Sequence, residues 1–301
     1  MRTTAWIEKN TASLIGKTVA ISGATGGIGR ELCRHLATLG ASLLLLDRNS
    51  QRSNALIDEL KQAYPTLQAS HLRVDMEDFA LVKAVTEQLK KTPPDILILN
   101  AGAYHIPRHR CDTGFDNVFQ INFVSPYYMA RALKPYLEQR GGRVVAVGSI
   151  AHNYSKLDPT DIDFSTRTQS SKVYGNAKRY LMFSLYALYG EEPGCAVTHP
   201  GITLTNITAH YPKWIYAIIR HPMKVIFMKP RRASLSILRG VFEDCGKNEW
   251  IGPRVCNVWG LPKKRMLKTC KLDEAAEIAA VAEKIWTNLN EEQYQKEGST
   301  I

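Results

Sequence analysis

Short apolar runs alternate with longer amphipathic stretches through the first two hundred residues of the chain. Residues 19–21, 41–47, 69–74, 95–99, 143–147 and 195–198 read as strands, because strands buried on both faces are continuous apolar runs. Between them, residues 31–39, 54–63, 77–90, 115–140 and 171–189 carry apolar positions at helical spacing, and Pro93-Pro94 stops the third of these helices. Strands and helices in this alternation predict an α/β fold, a single doubly wound parallel sheet of Rossmann type with helices on both faces. Residues 205–242 are apolar, aromatic and basic by turns and read as two helices broken near Pro222 and Pro230. Residues 250–258 read as a closing strand and 273–289 as a final helix. With no repeat, low-complexity segment or linker in view, residues 1–301 are expected to form one domain, with 203–245 as a substrate lid.

Composition narrows this picture modestly. Hydrophobic content of 45% and charged content of 22% exclude a disordered or fibrous chain. The cysteines at 33, 111, 195, 245, 256 and 270 form no C-x-x-C pair, and no His cluster has metal-ligand spacing, which suits reduced thiols in a cytoplasmic protein and no metal. Residues 1–17 lack the apolar core of a signal peptide, and the strongest apolar run, 214–228, is broken by Arg220, His221, Pro222 and Lys224. The net charge of +11 fits a solvated basic surface that attracts an anionic cofactor. Nucleic acid is not expected as a partner, since no recognised motif is present and the densest basic run, Lys263-Lys264-Arg265, is short. The stripe of Trp214, Ile215, Tyr216, Phe227 and Met228 with Arg220, Lys224 and Lys229 suits a lid or dimer surface, or a helix in peripheral contact with an anionic membrane.

Candidate chemistry begins at the first strand–helix turn, Ser22-Gly-Ala-Thr-Gly-Gly-Ile-Gly29. Gly23 permits a tight turn, Gly27 lets backbone approach a pyrophosphate and Gly29 lets the helix pack close to the strand; Gly23, Gly26 and Gly29 give an alternative spacing. Phosphates would sit at the helix N-terminus. Asp47 ends the second strand, where a carboxylate accepts ribose hydroxyls and disfavours a 2′-phosphate, so NAD(H) is favoured. Arg48, next to it, could pair with that phosphate and leaves NADP(H) open. Gly23, Asp47, Asp75 and Asn100 all fall at carboxyl ends of strands, where ligands of such sheets collect. Tyr174 and Lys178 form the only Y-x-x-x-K of the chain, one helical turn apart, with Ser149 just past the fifth strand and Asn122 on a neighbouring helix. A nearby ammonium and a nicotinamide cation would stabilise a phenolate, so Tyr174 could exchange a proton with an alcohol or carbonyl oxygen held by Ser149.

The glycine turn, Asn100-Ala101-Gly102, Asn122, Ser149, Tyr174-x-x-x-Lys178 and Pro200-Gly201, in this order, resemble the short-chain dehydrogenase/reductase family along nearly the whole chain. The resemblance implies a catalytic tetrad of Ser149, Tyr174, Lys178 and Asn122, with Lys178 on the nicotinamide ribose and Asn122 supporting a water relay. It implies cofactor contacts at Gly23, Thr25, Gly27, Ile28, Gly29, Asp47, Arg48, Asp75, Met76, Asn100, Ala101 and Gly102. Pro200, Gly201 and Ile202 would approach the nicotinamide carboxamide, with the Thr205 hydroxyl nearby. It also implies a homodimer or homotetramer paired through helices 115–140 and 171–189. Ser22 replaces the usual threonine, which keeps a hydroxyl. The long gap from Ser149 to Tyr174, Gly148-Ser-Ile-Ala-His152, the helical pair around Pro222 and Pro230, Ile251-Gly-Pro253 and Trp259-Gly-x-Pro262 are similar to the retinol dehydrogenase-like subgroup. That likeness implies a lipophilic alcohol or ketone such as a retinoid or steroid. A non-catalytic dinucleotide sensor or scaffold is the alternative, and the presence of all four tetrad residues argues against it. A nucleotide-sugar epimerase would need a larger region after Pro200 and fits Asn100-Ala101-Gly102 poorly.

Overall fold

The structure, a computed structural model, describes residues 3–203 and 227–298. Its helices are α1 (Thr3–Asn10), α2 (Gly27–Thr38), α3 (Ser50–Ala63), α4 (Phe79–Lys91), α5 (Asn117–Phe119), α6 (Ser125–Glu138), α7 (Ser170–Tyr189), α8 (Pro230–Phe242) and α9 (Leu272–Gly298). The strands are β1 (Thr18–Ser22), β2 (Ser42–Asp47), β3 (Ala69–Arg73), β4 (Ile96–Leu99), β5 (Arg143–Val147), β6 (Cys195–Thr198), β7 (Glu249–Val255) and β8 (Trp259–Met266). They form one sheet in the order β3-β2-β1-β4-β5-β6-β7-β8, parallel except for β8.

Alternate side chains of each strand feed two apolar cores, one per face, as a pleated backbone requires. Ala20, Leu97, Leu99, Val144 and Ala146 meet residues of α4, α6, α7 and α9. Val19, Ile21, Ile98 and Val145 meet α1, α2, α3 and α8. The order reverses at β1, which pairs with both β2 and β4, so the carboxyl ends of β1 and β4 flank the crevice where such sheets take ligands.

Three departures from the sequence pattern have local causes. The helix expected over 115–140 is interrupted by a π-helical turn, Gln120–Val124, centred on Asn122. Pro126 has no N–H to donate to the carbonyl four residues back, which is that of Asn122. The closing strand expected at 250–258 is a hairpin, β7 and β8, turned by Cys256 (φ 49°) and Asn257 (φ 56°) in the left-handed region. The range read as a lid is, over Pro230–Phe242, a helix with Leu235, Ile237 and Leu238 fully buried in the core. Thr205 and residues 214–226 of the basic–aromatic stripe lie outside the described residues.

The C-terminal helix covers α6 and α7. The Tyr127 hydroxyl donates to Glu283 (2.6 Å), Tyr128 packs on Trp286 with ring centroids 4.9 Å apart, and Arg131 lies over the same indole. Pairing of copies through α6 and α7 would therefore have to displace α9. No helix among the described residues is long and apolar enough to cross a membrane.

Candidate active site

The β1–α2 loop is clamped to the end of β4. Ser22 Oγ accepts the backbone N–H groups of Asn100 and Ala101 (3.0 Å each), and Asn100 Nδ2 donates to the carbonyls of Ser22 (3.0 Å) and Gly23 (2.9 Å). Asn100 thus shapes the loop through its side chain. Gly23 has φ +68°, and a Cβ there would stand 2.8 Å from Ala101 Cα. A Cβ on Gly29 would stand 2.2 Å from the Gly23 carbonyl oxygen, so only glycine admits this contact of helix with loop. Gly26 caps α2 without a side-chain hydrogen bond, leaving first-turn N–H groups of Gly27, Ile28 and Gly29 as an anion cradle.

Asp47 is buried at the end of β2, where Thr25 Oγ1 donates to its Oδ1 (3.1 Å), while Arg48 is exposed. Burial pushes the Asp47 carboxyl upward, against the Thr25 hydrogen bonds that pull it down. Asp75 follows β3 and accepts the N–H of Glu77 (3.2 Å), beside the buried Met76. Pro200, Gly201 and Ile202 follow β6, and Gly201 (φ +82°) packs against the β7–β8 hairpin, where a Cβ would meet the Val258 carbonyl at 2.6 Å.

Ser149, Tyr174, Lys178 and Asn122 come together beside this loop. The Ser149 hydroxyl is a polar neighbour of the Tyr174 phenol and favours its ionised form. Ser149 Oγ also accepts the N–H of Ala151 (3.2 Å), because Ser149 caps the 3₁₀ turn Ile150–Tyr154. Lys178, 2% exposed, donates from Nζ to the Val147 carbonyl (2.8 Å) and lies 5.8 Å from the Tyr174 ring centroid. Asn122 Nδ2 donates to the carbonyls of Ala103 and Val118 (2.8 Å each), so its side chain holds the loop after β4. Gly102 makes room for both: a Cβ there would stand 2.8 Å from Asn122 Oδ1 and 3.5 Å from Lys178 Nζ. Burial dominates the titration of the pair, pushing the Tyr174 phenol up to about 12 and Lys178 down to about 7. The lowering of the Tyr174 pKa expected from the ammonium does not arise in this structure: burial raises it, Ser149 alone pulls it down, and at neutral pH the phenol is protonated.

Several neighbours carried no signal in the sequence. Gly175 follows the tyrosine, and a Cβ on it would stand 2.2 Å from the Ala151 carbonyl, so its bare backbone lets α7 touch the turn that carries Ser149. Tyr104 packs edge-on against Tyr174 (centroids 5.4 Å, 80°). Val118, Phe164 and Val173 form a small apolar cluster against which Ile106 and Tyr174 pack.

The family model for short chain dehydrogenase matches residues 17–157. The chain is 28% identical over 290 residues to dehydrogenase/reductase SDR family member 13 of Bos taurus, covering 91% of this chain and 72% of that protein. It is 30% identical over 200 residues to retinol dehydrogenase 12 of Mus musculus, covering 64% of this chain and 63% of that protein. A crystal structure of an uncharacterised protein from Mycobacterium paratuberculosis shares the fold with a TM-score of 0.72 at 21% identity, covering 93% of this chain and 96% of that one.

Proposed function

The chain belongs to the short-chain dehydrogenase/reductase family, and we propose that within it the protein is an alcohol dehydrogenase or ketone reductase for a lipophilic substrate. The observation that carries this reading is the meeting of the Tyr174 phenol with Ser149 and the buried Lys178 ammonium beside the glycine cradle. The cradle fits a dinucleotide: Gly23 and Gly29 admit no Cβ against neighbouring backbone, Gly102 admits one only by shifting Asn122, and an uncapped helix start faces the space where phosphates would bind. The N–H groups of residues 27–29, Asp47, Asp75, the backbone of 100–102, Lys178 and residues 200–202 would hold it. When bound, a nicotinamide supplies the hydride acceptor for an alcohol or the donor for a ketone.

The chain itself handles the proton and the geometry. Ser149 Oγ holds the substrate oxygen, and Tyr174 passes a proton to it in reduction or takes one in oxidation. Lys178, anchored on Val147, keeps its remaining protons for ribose hydroxyls and, when charged, favours the phenolate. Because the phenol is protonated at neutral pH, reduction starts from the correct protonation state, whereas oxidation must first ionise Tyr174 and should accelerate with rising pH. The aromatic and apolar surroundings of Tyr174, Tyr104 above all, and the retinol dehydrogenase relative support an apolar alcohol or ketone.

A panel of aliphatic, allylic, retinoid and steroid alcohols and ketones, followed at the absorbance of the reduced nicotinamide, tests this reading. We expect turnover that favours the apolar members, and tighter binding of NADH than of NADPH because Asp47 repels a 2′-phosphate. Robust cofactor binding with no turnover on any member would overturn it in favour of a sensor or scaffold, and tighter NADPH binding would assign the phosphate to Arg48.

We place a peripheral contact with anionic lipid at the β8 end of the molecule. Residues 193–242 and 250–272 hold 13 Lys and Arg and no Asp or Glu, more than the whole net charge of +11. α8 packs on β7 and β8, which brings the described parts of these two runs together. Lys229, Arg231, Arg254 and Lys263 are exposed there, with Val255 and Trp259 46% and 44% exposed and Arg232 lying 4.8 Å over the Trp259 ring. Phosphatidylserine vesicles should bind the protein at low salt and release it near ~0.5 M salt, where screening is short-ranged. Equal binding to neutral vesicles, or none to anionic ones, would contradict this placement.

A further inference from the structure

Behind Ser149 lie two buried side chains, His152 and Arg179, that take no part in proton transfer and are held at both ends. The His152 ring is in contact with the Ser149 carbonyl oxygen through Nδ1 (2.6 Å) and with Thr269 Oγ1 through Nε2 (2.7 Å). A carbonyl oxygen can only accept, so Nδ1 carries the proton. Burial pushes the ring down to about 4, so it is neutral at working pH, and Nε2 accepts the Thr269 hydroxyl. The backbone of the same residue is fixed from another side, where Arg179 Nη1 donates to the His152 carbonyl (2.9 Å). The rest of the Arg179 fork is taken by both carboxylate oxygens of Glu274. Arg179 and Glu274 are the charged groups that face the ring; Phe183 at 6.3 Å and Trp250 at 5.7 Å between centroids pack on it, and the buried His199, stacked on Trp250 and kept neutral by burial, is the other titratable group within reach.

These contacts bear on the serine directly. The Ser149 carbonyl takes both the backbone N–H of His152 (3.2 Å) and the ring Nδ1–H, which fixes the peptide plane that follows Ser149. With Oγ also accepting the Ala151 N–H, the serine side chain is fixed as well as its carbonyl, next to the Tyr174 phenol on which it acts. Packing alone would be served by an apolar side chain at 152; a buried imidazole with both nitrogens engaged supplies direction as well. Thr269 lies in the connection after β8 and Glu274 in the first turn of α9. We propose that His152 is a positioning residue for Ser149, set from the C-terminal segment by Thr269 and, through Arg179, by Glu274. The proposal rests on the dehydrogenase reading of Ser149.

The test compares Thr269→Val, which keeps the shape and removes the hydroxyl, with Thr269→Ser, which restores it. Thr269→Val should lower kcat about tenfold, the scale of one hydrogen bond, leave cofactor Kd unchanged, and be rescued to within about twofold by Thr269→Ser. His152→Asn, whose amide can reach the Ser149 carbonyl, should retain more kcat than His152→Gln, whose amide falls nearer the Nε2 position. Thr269→Val and His152→Gln both within about twofold of the wild type would overturn the proposal, as would kcat and cofactor affinity falling together without rescue by serine. Histidine-selective ¹⁵N spectra provide a readout independent of turnover. They should show an Nδ1–H neutral ring between pH ~5 and ~8, and a His152 ring that titrates near the unperturbed value of about 6.5, or that carries its proton on Nε2, would equally overturn it. A wild type inactive on every alcohol and ketone would instead sink the dehydrogenase reading, and the histidine spectra would still decide whether His152 holds the Ser149 carbonyl.

Discussion

Tyr174→Phe is expected to lower kcat by about a hundred- to ten-thousandfold, the range that a positioned general acid–base contributes, while cofactor Kd stays within about twofold. The ring stays in place in this variant, because its contacts with Tyr104 and the cluster around Val173 do not involve the hydroxyl. What is lost is the phenol hydroxyl that would exchange the proton, beside Ser149. The wild-type pH profile should carry the same signature. Burial holds the phenol near 12, so alcohol oxidation should accelerate as pH rises and ketone reduction should be fastest where the phenol is protonated. Lys178, pulled down to about 7, loses charge over the same rise, which weakens its support for the phenolate and should flatten the oxidation limb. Steady-state rates in both directions with parallel cofactor titrations check this; a phenylalanine variant that retains a tenth or more of the wild-type rate (an order-of-magnitude bound) would remove Tyr174 from the chemistry.

Gly29→Ala is expected to abolish cofactor binding at accessible concentrations and to destabilise the fold by about 1–3 kcal/mol, the range for overpacking. Its Cβ would lie 2.2 Å from the Gly23 carbonyl oxygen and 2.8 Å from Ala24 Cα, and both are backbone atoms that cannot swing aside. Relief requires α2 to move away from the loop, and the N–H groups at the start of α2 are the ones that would face phosphate. Gly26→Ala is the contrast: its Cβ would lie 3.3 Å from the same oxygen, a distance that a small adjustment relieves. Urea midpoints should therefore rank wild type, Gly26→Ala, Gly29→Ala. Cofactor fluorescence titrations complete the comparison, and an alanine at 29 that binds as the wild type does would contradict the cradle.

The sheet was legible because buried parallel strands are uniformly apolar and their order follows from right-handed crossovers. Val19 to Ile21 and Ile96 to Leu99 could hardly be anything else. β8 was not legible: Gly260, Pro262 and three consecutive basic residues do not resemble a strand, and such a sequence is tolerated at an edge that pairs on one side only. Its turn lacks an Asn-Gly signature, since Cys256 and Asn257 adopt left-handed backbone without a glycine. The residues meeting at the candidate site were named by their motifs, but the contacts that align them were not. Gly175 matters for the side chain it lacks, and His152 for partners 117 residues away in Thr269 and three residues back in Ser149. The ionisation of Tyr174 could not be read either, because the spacing of Tyr174 and Lys178 displays the cation and hides the desolvation that opposes it.

If Tyr174 and Ser149 act as proposed, hydride passes directly between the carbinol carbon and the nicotinamide. The protein is incubated with oxidised cofactor and an apolar secondary alcohol deuterated at the carbinol carbon, and the cofactor is then weighed by mass spectrometry. Deuterium is expected in the reduced cofactor with the wild type, and little or none with Tyr174→Phe. Equal labelling by the two proteins, or tightly bound cofactor that never acquires deuterium from any alcohol tried, would contradict it.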